Sequence, residues 1–420
     1  MIGDPTAESP AARSTRLKFF TTRLYGLSQP RPYQDAGLAF VRATNVERGK
    51  LVREGLTFVS EEDLPESRAV RLQEGDIIVV RSGAYTGDSA FVTPDWVGGI
   101  AGFDIVVRTT RYANPRFVAY ALLSPAVFEK QIRPLSSRAA QPHLNAEELG
   151  DIEVSLPRVE LQRAIADYLD RETARLDALV AAKERVLGLL AEKRRALITR
   201  AVTRGLDPNA PLRDSGIPWL GEIPAHWEVE RARWLFRERD VRSDTGDEEL
   251  LTVSHLTGVT PRSEKDVNMF EAETNEGYKI CHPSDLVINT LWAWMGAMGV
   301  APVKGIVSPA YNVYQPGERL ESSYVDAVVR LPIFAQEVTR YSKGVWSSRL
   351  RLYPEGFFEV YLPVPHRDEQ RAIADHIGRE TGKLDAVRDA TERTIALLKE
   401  RRAALIAAAV TGQIDVDPAA

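Results

Sequence analysis

From Leu161 to Thr203 the apolar residues return at heptad spacing. Leu169, Leu176, Leu190 and Leu197 share one row with the polar Lys183, and Ile165, Leu179 and Val186 each stand four residues ahead of a member of that row. Such a seam predicts a long α-helix that buries one stripe against a partner helix. The pattern occurs again 208 residues later. Ile377, Leu384, Thr391, Leu398 and Leu405 form the row, with Ile373 and Val387 in the places of Ile165 and Leu179. At about 1.5 Å per residue each helix would run roughly 65 Å, several times the usual globular helix. A whole globular segment separates the two, so antiparallel pairing about a pseudo-twofold axis is expected. Lys183 facing the Thr391 layer would then help to set register.

The second helix repeats the first in sequence as well as in pattern. Aligned without gaps, Leu161–Gly205 and Glu369–Gln413 share 25 of 45 residues, including the runs QRAIAD, RET and LDA. A repeat at this distance means two similar halves in one chain, because solenoids repeat every 20–50 residues or so.

Outside the helices the pattern changes to short β-rich runs broken by Gly, Pro and Asp: LAFVRATNV at 38–46, GDIIVVRSGAYTG at 75–87 and FDIVVRT at 103–109. These are expected strands, and the apolar stretch after Pro115 an expected helix. The fold class is therefore α+β. A second module after Gly205, Pro208 and Pro211 parallels the first: GDIIVVRSG (75–83) aligns with SDLVINTLW (284–292), and SSRAAQPHL (136–144) with SSRLRLYPE (347–355). The domain plan read from this is a disordered leader at 1–14, a first module at 15–157, a helix at 158–206, a second module at 207–363, a helix at 364–413 and a tail at 414–420.

Composition narrows the class without naming a function. The chain has 420 residues, 44% of them hydrophobic and 27% charged, with no signal-peptide pattern and no long uncharged apolar run, which reads as a cytoplasmic globular protein without a membrane partner. Its single cysteine, Cys281, is expected to be an ordinary half-buried thiol, and six scattered histidines show no metal-ligand spacing. The net charge of −5 does not suggest nucleic acid. Only residues 156–208, with 11 basic and 8 acidic groups, are net basic, so any grip on DNA must come from local patches or from partner subunits.

Catalytic signatures are absent from the sequence. It contains no Walker loop, GxSxG elbow or HExxH helix, and Ser308-Pro309-Ala310-Tyr311 lacks the second proline of an adenine-methyltransferase loop. Residues suited to DNA stand instead where strands give way to loops. In the first module these are Arg81, Ser82 and Tyr85, with Arg133, Ser136, Ser137, Arg138, Gln141 and His143. In the second they are Asn289, Thr290 and Trp292, with Lys343, Trp346, Ser347, Ser348, Arg349 and Arg351. Such side chains bond phosphates and base edges, and the Ser-Ser-Arg cluster stands in both halves.

Three motifs add a family resemblance. The pattern LPxxxxQRAIADxxxRETxxLD, the helix ending ALITRAVTRGLDP and the lead-in SGIPWLGEIPAHWEV (215–229) make the chain similar to the specificity subunit of Type I restriction–modification systems. The first module opens on RLKFFTTRLYG and has no counterpart of that lead-in. The resemblance implies two target recognition domains, each reading half of a bipartite, asymmetric site on double-stranded DNA. It implies helices that space the half-sites and dock two modification (methyltransferase) subunits, with restriction subunits where the system has them. S-adenosylmethionine and ATP with Mg would be used by those partners; this chain would bind no cofactor and catalyse nothing. The competing readings are a helical scaffold that binds only proteins, and the specificity half of a fused methyltransferase or endonuclease.

Overall fold

The computed structural model describes residues 13–28, 32–65, 69–136, 142–264, 274–344 and 350–416. Two compact units divide the chain: Met1–Glu184 with Glu392–Ala420, and Arg185–Thr391.

Each unit is built on a four-stranded antiparallel sheet of the same order. In the first the order is Thr21–Tyr25, Ile105–Thr109, Ile77–Val79, Ser89–Phe91, and in the second Phe236–Glu238, Tyr311–Pro316, Leu286–Asn289, Met298–Val300. The stretches Ile77–Val80, Ile105–Val107 and Leu286–Ile288 of the central strands are apolar without a break because both faces of the sheet are covered. Ile77, Val79, Ile105 and Val107 pack with the helix Pro115–Leu123, while Ile78, Val80 and Val106 pack on the other side with Val41, Leu72 and Trp96. The second unit alternates in the same way, Leu286 and Ile288 against the helix Ser322–Val329 and Val287 with Val313 on the opposite face. Alternation at period two is what a strand with two buried faces produces.

A buried acid precedes the central strand in both units. Asp76 accepts from Arg108 Nε at 2.8 Å and the Gln73 amide at 2.9 Å; Asp285 forms an ion pair with Arg239, whose Nε lies 2.8 Å away, and accepts from the His282 amide at 2.8 Å. The carboxylate is kept in both copies while its arginine comes from different strands. A buried charge needs a partner, but nothing requires the partner's position to be inherited.

A two-stranded ribbon then feeds each long helix: Arg13–Arg16 with Glu153–Leu156 ahead of Val159–Arg204, and Glu228–Arg231 with Tyr361–Val364 ahead of Arg367–Val410. A fully buried glutamine joins helix to module at each start. Gln162 accepts from the Asn114 amide and donates to the Tyr112 and Pro157 carbonyls. Gln370, its repeat counterpart, accepts from the Glu321 amide and donates to the Arg319 and Pro365 carbonyls.

Within each unit the helix segments run antiparallel. In the first, Ile165, Ala166 and Leu169 share a core with Ile406, Ala409 and Val410, and Arg402 reaches Asp177 at 2.9 Å. In the second, Ala201 and Val202 share a core with Ile373 and Ile377, and Arg194 reaches Asp385 at 2.6 Å. The two ion pairs are the same pair in the repeat register. Of the predicted seam, Leu176 is also buried, and Leu190, Leu197, Leu384, Leu398 and Leu405 are partly buried. Leu179, Val186 and Val387 are not in the seam but exposed, Leu179 at 43% and Val387 at 48%. Away from the modules a helix has one neighbour, and a side chain beside the contact line stays in water. Thr391 is buried, but its hydroxyl donates to the Val387 carbonyl of its own helix.

The lead-in motif is a local device of the second unit. It forms the hairpin Leu212–Asp214 with Glu222–Pro224, and then buries Trp227, whose indole N–H donates to Glu369 at 3.0 Å while His226 Nε2 lies 2.9 Å from the other carboxylate oxygen. The position matching Glu369 in the first helix is Leu161, which packs on the first unit's core. The repeat thus departs from identity where only one copy has a tryptophan to receive. Cys281 is fully buried rather than half-buried. Burial pushes its thiol up to about 11, and it donates to the Gly305 carbonyl. Among the described residues no helix is long and apolar enough to cross a membrane, and no cluster of His, Cys, Asp and Glu is suited to a metal.

Candidate nucleic-acid interface

In the first unit the strand Ile77–Val79 runs into a tight turn. Gly87 holds φ of +91°, and a Cβ there would sit 2.4 Å from Ile132 Cγ2, so the turn closes only on glycine. The turn is tied to the returning chain by backbone bonds from Leu144 to the Arg81 carbonyl (2.8 Å) and from Gly83 to the Pro142 carbonyl (3.2 Å). The fold therefore brings together two candidate groups that stand 58–62 residues apart, Arg81, Ser82 and Tyr85 with His143. The Arg81 guanidinium lies 4.6 Å from the Tyr25 ring centre and 4.3 Å from that of Phe103, and Nη2 donates to His143 Nε2 at 3.3 Å. Its backbone amide donates to Asp104 Oδ1 at 3.2 Å. Asp104 is buried with Oδ2 unpartnered, and burial pushes its carboxyl up to about 6 against the pull of Arg81. Tyr85 is exposed, and Arg133 is paired with Glu129 one helical turn away at 2.5 Å.

The second unit repeats the tie with other side chains. Leu352 donates to the Thr290 carbonyl at 3.1 Å, as Leu144 does to that of Arg81, and Lys343 and Arg351 exchange backbone bonds at 2.9 Å. Trp292 is half exposed and stacks on Trp294, ring centres 6.2 Å apart and planes 18° from parallel. These rings stand outside the core, where a pair of tryptophans at period two would ordinarily be expected.

Three expected contact residues belong to the supporting layer instead. Ser136, Asn289 and Thr290 are buried, and their side-chain oxygens bond the Arg133 carbonyl, the Leu291 amide and the Ala310 carbonyl. Short polar side chains at strand ends satisfy local backbone groups before any ligand arrives. Ser137, Arg138, Gln141, Trp346, Ser347, Ser348 and Arg349 lie outside the described residues. Sequence reading missed Tyr25, Phe103 and Asp104. Tyr25 faces Ile105 across adjacent strands, so the signal was a strand pairing, which spacing along the chain does not reveal.

Both units thus present a loop, tied by the same backbone bond, at the end of one shared sheet order. Residues 33–187 match the family described as Type I restriction modification DNA specificity domain. The chain is 26% identical over 188 residues to the Type I restriction enzyme StySPI specificity subunit of Salmonella potsdam, covering 44% of this chain and 40% of that protein. It is 26% identical over 171 residues to the EcoKI specificity subunit of Escherichia coli K12, covering 40% and 36%. The match spans well under half the length of either relative. In fold it is similar to a chain from a structure on complex assembly and conformational transition of the type I R-M system, with a TM-score of 0.73 and 19% identity over 98% of this chain and 100% of that one. It is also similar to the HsdS subunit of Thermoanaerobacter tengcongensis, with a TM-score of 0.54 and 18% identity over 98% and 99%. Over residues 33–187 the chain is thus similar to the DNA specificity domain of Type I restriction-modification systems, and over nearly its whole length it has the fold of such a subunit.

Proposed function

We propose that this chain chooses the DNA site for a Type I methyltransferase complex, reading a bipartite asymmetric sequence with one module per half-site and carrying out no chemistry itself. One observation carries the reading: the two units share sheet order and the backbone tie at the loop, yet place a ring-flanked arginine in one and a tryptophan stack in the other. One scaffold with two reading faces suits two different half-sites.

The helices supply the second part of the proposal. Leu189 and Leu397 are the same residue in the repeat register, and each is 64% exposed. Large apolar side chains left in water at matching places suit two copies of one protein partner. Those partners would be the modification subunits, with S-adenosylmethionine their methyl donor and ATP with Mg used by restriction subunits. The two helices, paired as an antiparallel coiled coil, would also set the spacing between half-sites.

Methylome sequencing of a host that expresses the chain with its modification subunits tests this. Two short motifs at a fixed gap are expected, and deletion of one heptad from both helices should shorten the gap while both motifs survive. A single continuous motif would overturn the bipartite reading, and an unchanged gap would overturn the spacer role.

A further inference from the structure

The first unit's turn holds a cation in a setting the second lacks. Among the described residues Arg81 makes no ion pair, although Asp104 is beside it: that carboxylate takes the backbone amide and leaves the guanidinium alone. Nε has no partner, and the single side-chain bond from Nη2 is the long one to His143. The rings of Tyr25 and Phe103 remain 40% and 43% exposed. Arginine loses side-chain freedom when fixed, and here the fixing is done by π-faces, which hold a charge without consuming its donors. A phosphate needs only a point charge. The N7 and O6 edge of guanine offers two acceptors side by side, which a planar fork held in one orientation meets together.

We propose that Arg81 is a specificity-determining residue of the first module and reads the major-groove edge of a guanine in its half-site. The proposal rests on the DNA-reading function above. Thr290, which takes the place of Arg81 in the second unit, is buried with its hydroxyl bonded to Ala310, so the other half-site is read by different chemistry.

The test maps methylated sites in a host that co-expresses the modification subunits with the natural chain, Arg81→Gln, Arg81→Lys or Phe103→Leu. The natural motif should contain a guanine, or its paired cytosine, in one half. Arg81→Gln should relax preference at that one position roughly ten- to a hundredfold, leaving the other half and the gap unchanged. Phe103→Leu should relax the same position less. If Arg81→Gln abolishes methylation, Arg81→Lys decides: it keeps the charge but not the planar fork, so methylation should persist with the guanine preference weakened at that one position. An unchanged motif, or a uniform weakening at all sites as a phosphate contact would give, overturns the proposal. A bipartite motif with no guanine or cytosine in either half also overturns it while leaving the broader function standing. A natural chain with no bipartite motif overturns both.

Discussion

The two units use one sheet order, one buried acid and one glutamine joint, yet their surfaces share little. The difference follows what each group faces. Asp76 and Asp285, or Gln162 and Gln370, satisfy buried backbone and charge, and a change at either would leave an unpaired group inside the protein. Arg81 and Thr290 occupy the same place in the scaffold but differ in surroundings: Arg81 lies between two part-exposed rings, whereas Thr290 is buried on the Ala310 carbonyl and leaves the surface to Trp292. The lead-in motif and its receptor, Trp227 with Glu369, then show how one copy acquires a fixture the other does without.

That fixture gives the largest expected effect. Trp227→Ala removes a buried indole from the second unit and should cost about 3–5 kcal/mol there, read as accelerated hydrogen exchange across residues 185–391 with the first unit's protection retained. Glu369→Leu installs the residue of the first copy and should cost less, about 1–3 kcal/mol, because the indole N–H is left without its acceptor. Equal loss of protection in both units would break the comparison, since it would mean the units do not open separately.

A smaller effect separates the units by pH. Asp104 is buried in the first unit, and at the equivalent turn of the second a threonine hydroxyl bonds a carbonyl instead. Because folding raises its pKa from the ordinary 3.8 to about 6, the native state holds its proton more tightly than the unfolded chain does. The first unit is therefore favoured below the ordinary value, and stability declines as pH rises through about 6. The change is at most on the order of 3 kcal/mol. Asp104→Asn should flatten that decline in the first unit and leave the second unit's profile alone. Hydrogen exchange at pH 5 and pH 7.5 reads both, and parallel slopes for the natural and substituted chains would assign the decline to other groups.

Much of this architecture is legible in the sequence because helical and strand periods are local. The heptad row, the duplication and the alignment of 75–83 with 284–292 can be read from residue order, and the strands Ile77–Val79 and Leu286–Asn289 occupy equivalent sheet positions. What resisted reading depends on which segments become neighbours. Tyr25 and Phe103 reach Arg81 only through strand pairing, and the burial of Asn289 and Thr290 depends on a loop closing over them. Heptad spacing also overstates a seam. It places Leu179 and Val387 beside the contact line, and whether such a position is covered depends on how many neighbours the helix has there.

The smallest effect concerns the paired helices themselves. Arg194 with Asp385 in the second unit and Arg402 with Asp177 in the first are repeat counterparts, and both pairs are partly exposed. Exposed pairs are worth about 0.2–1 kcal/mol, so Arg194→Ala and Arg402→Ala should each cost less than about 1 kcal/mol, and less again at high salt. The hydrogen bond from Arg194 holds the Asp385 carboxyl below its ordinary value. That contribution is complete above the ordinary aspartate range and disappears as pH falls through the lowered value. Arg194→Ala should raise the Asp385 titration toward the ordinary range, as carboxyl NMR would show, with little change in unfolding at neutral pH. Pairs so weak, kept in both copies, fit a role in alignment better than one in stability: each joins its two helix segments at one register, and a shift by one turn would strand both charges. A cost of several kcal/mol for either substitution would contradict this and make the pairs structural anchors of the same rank as the buried glutamines.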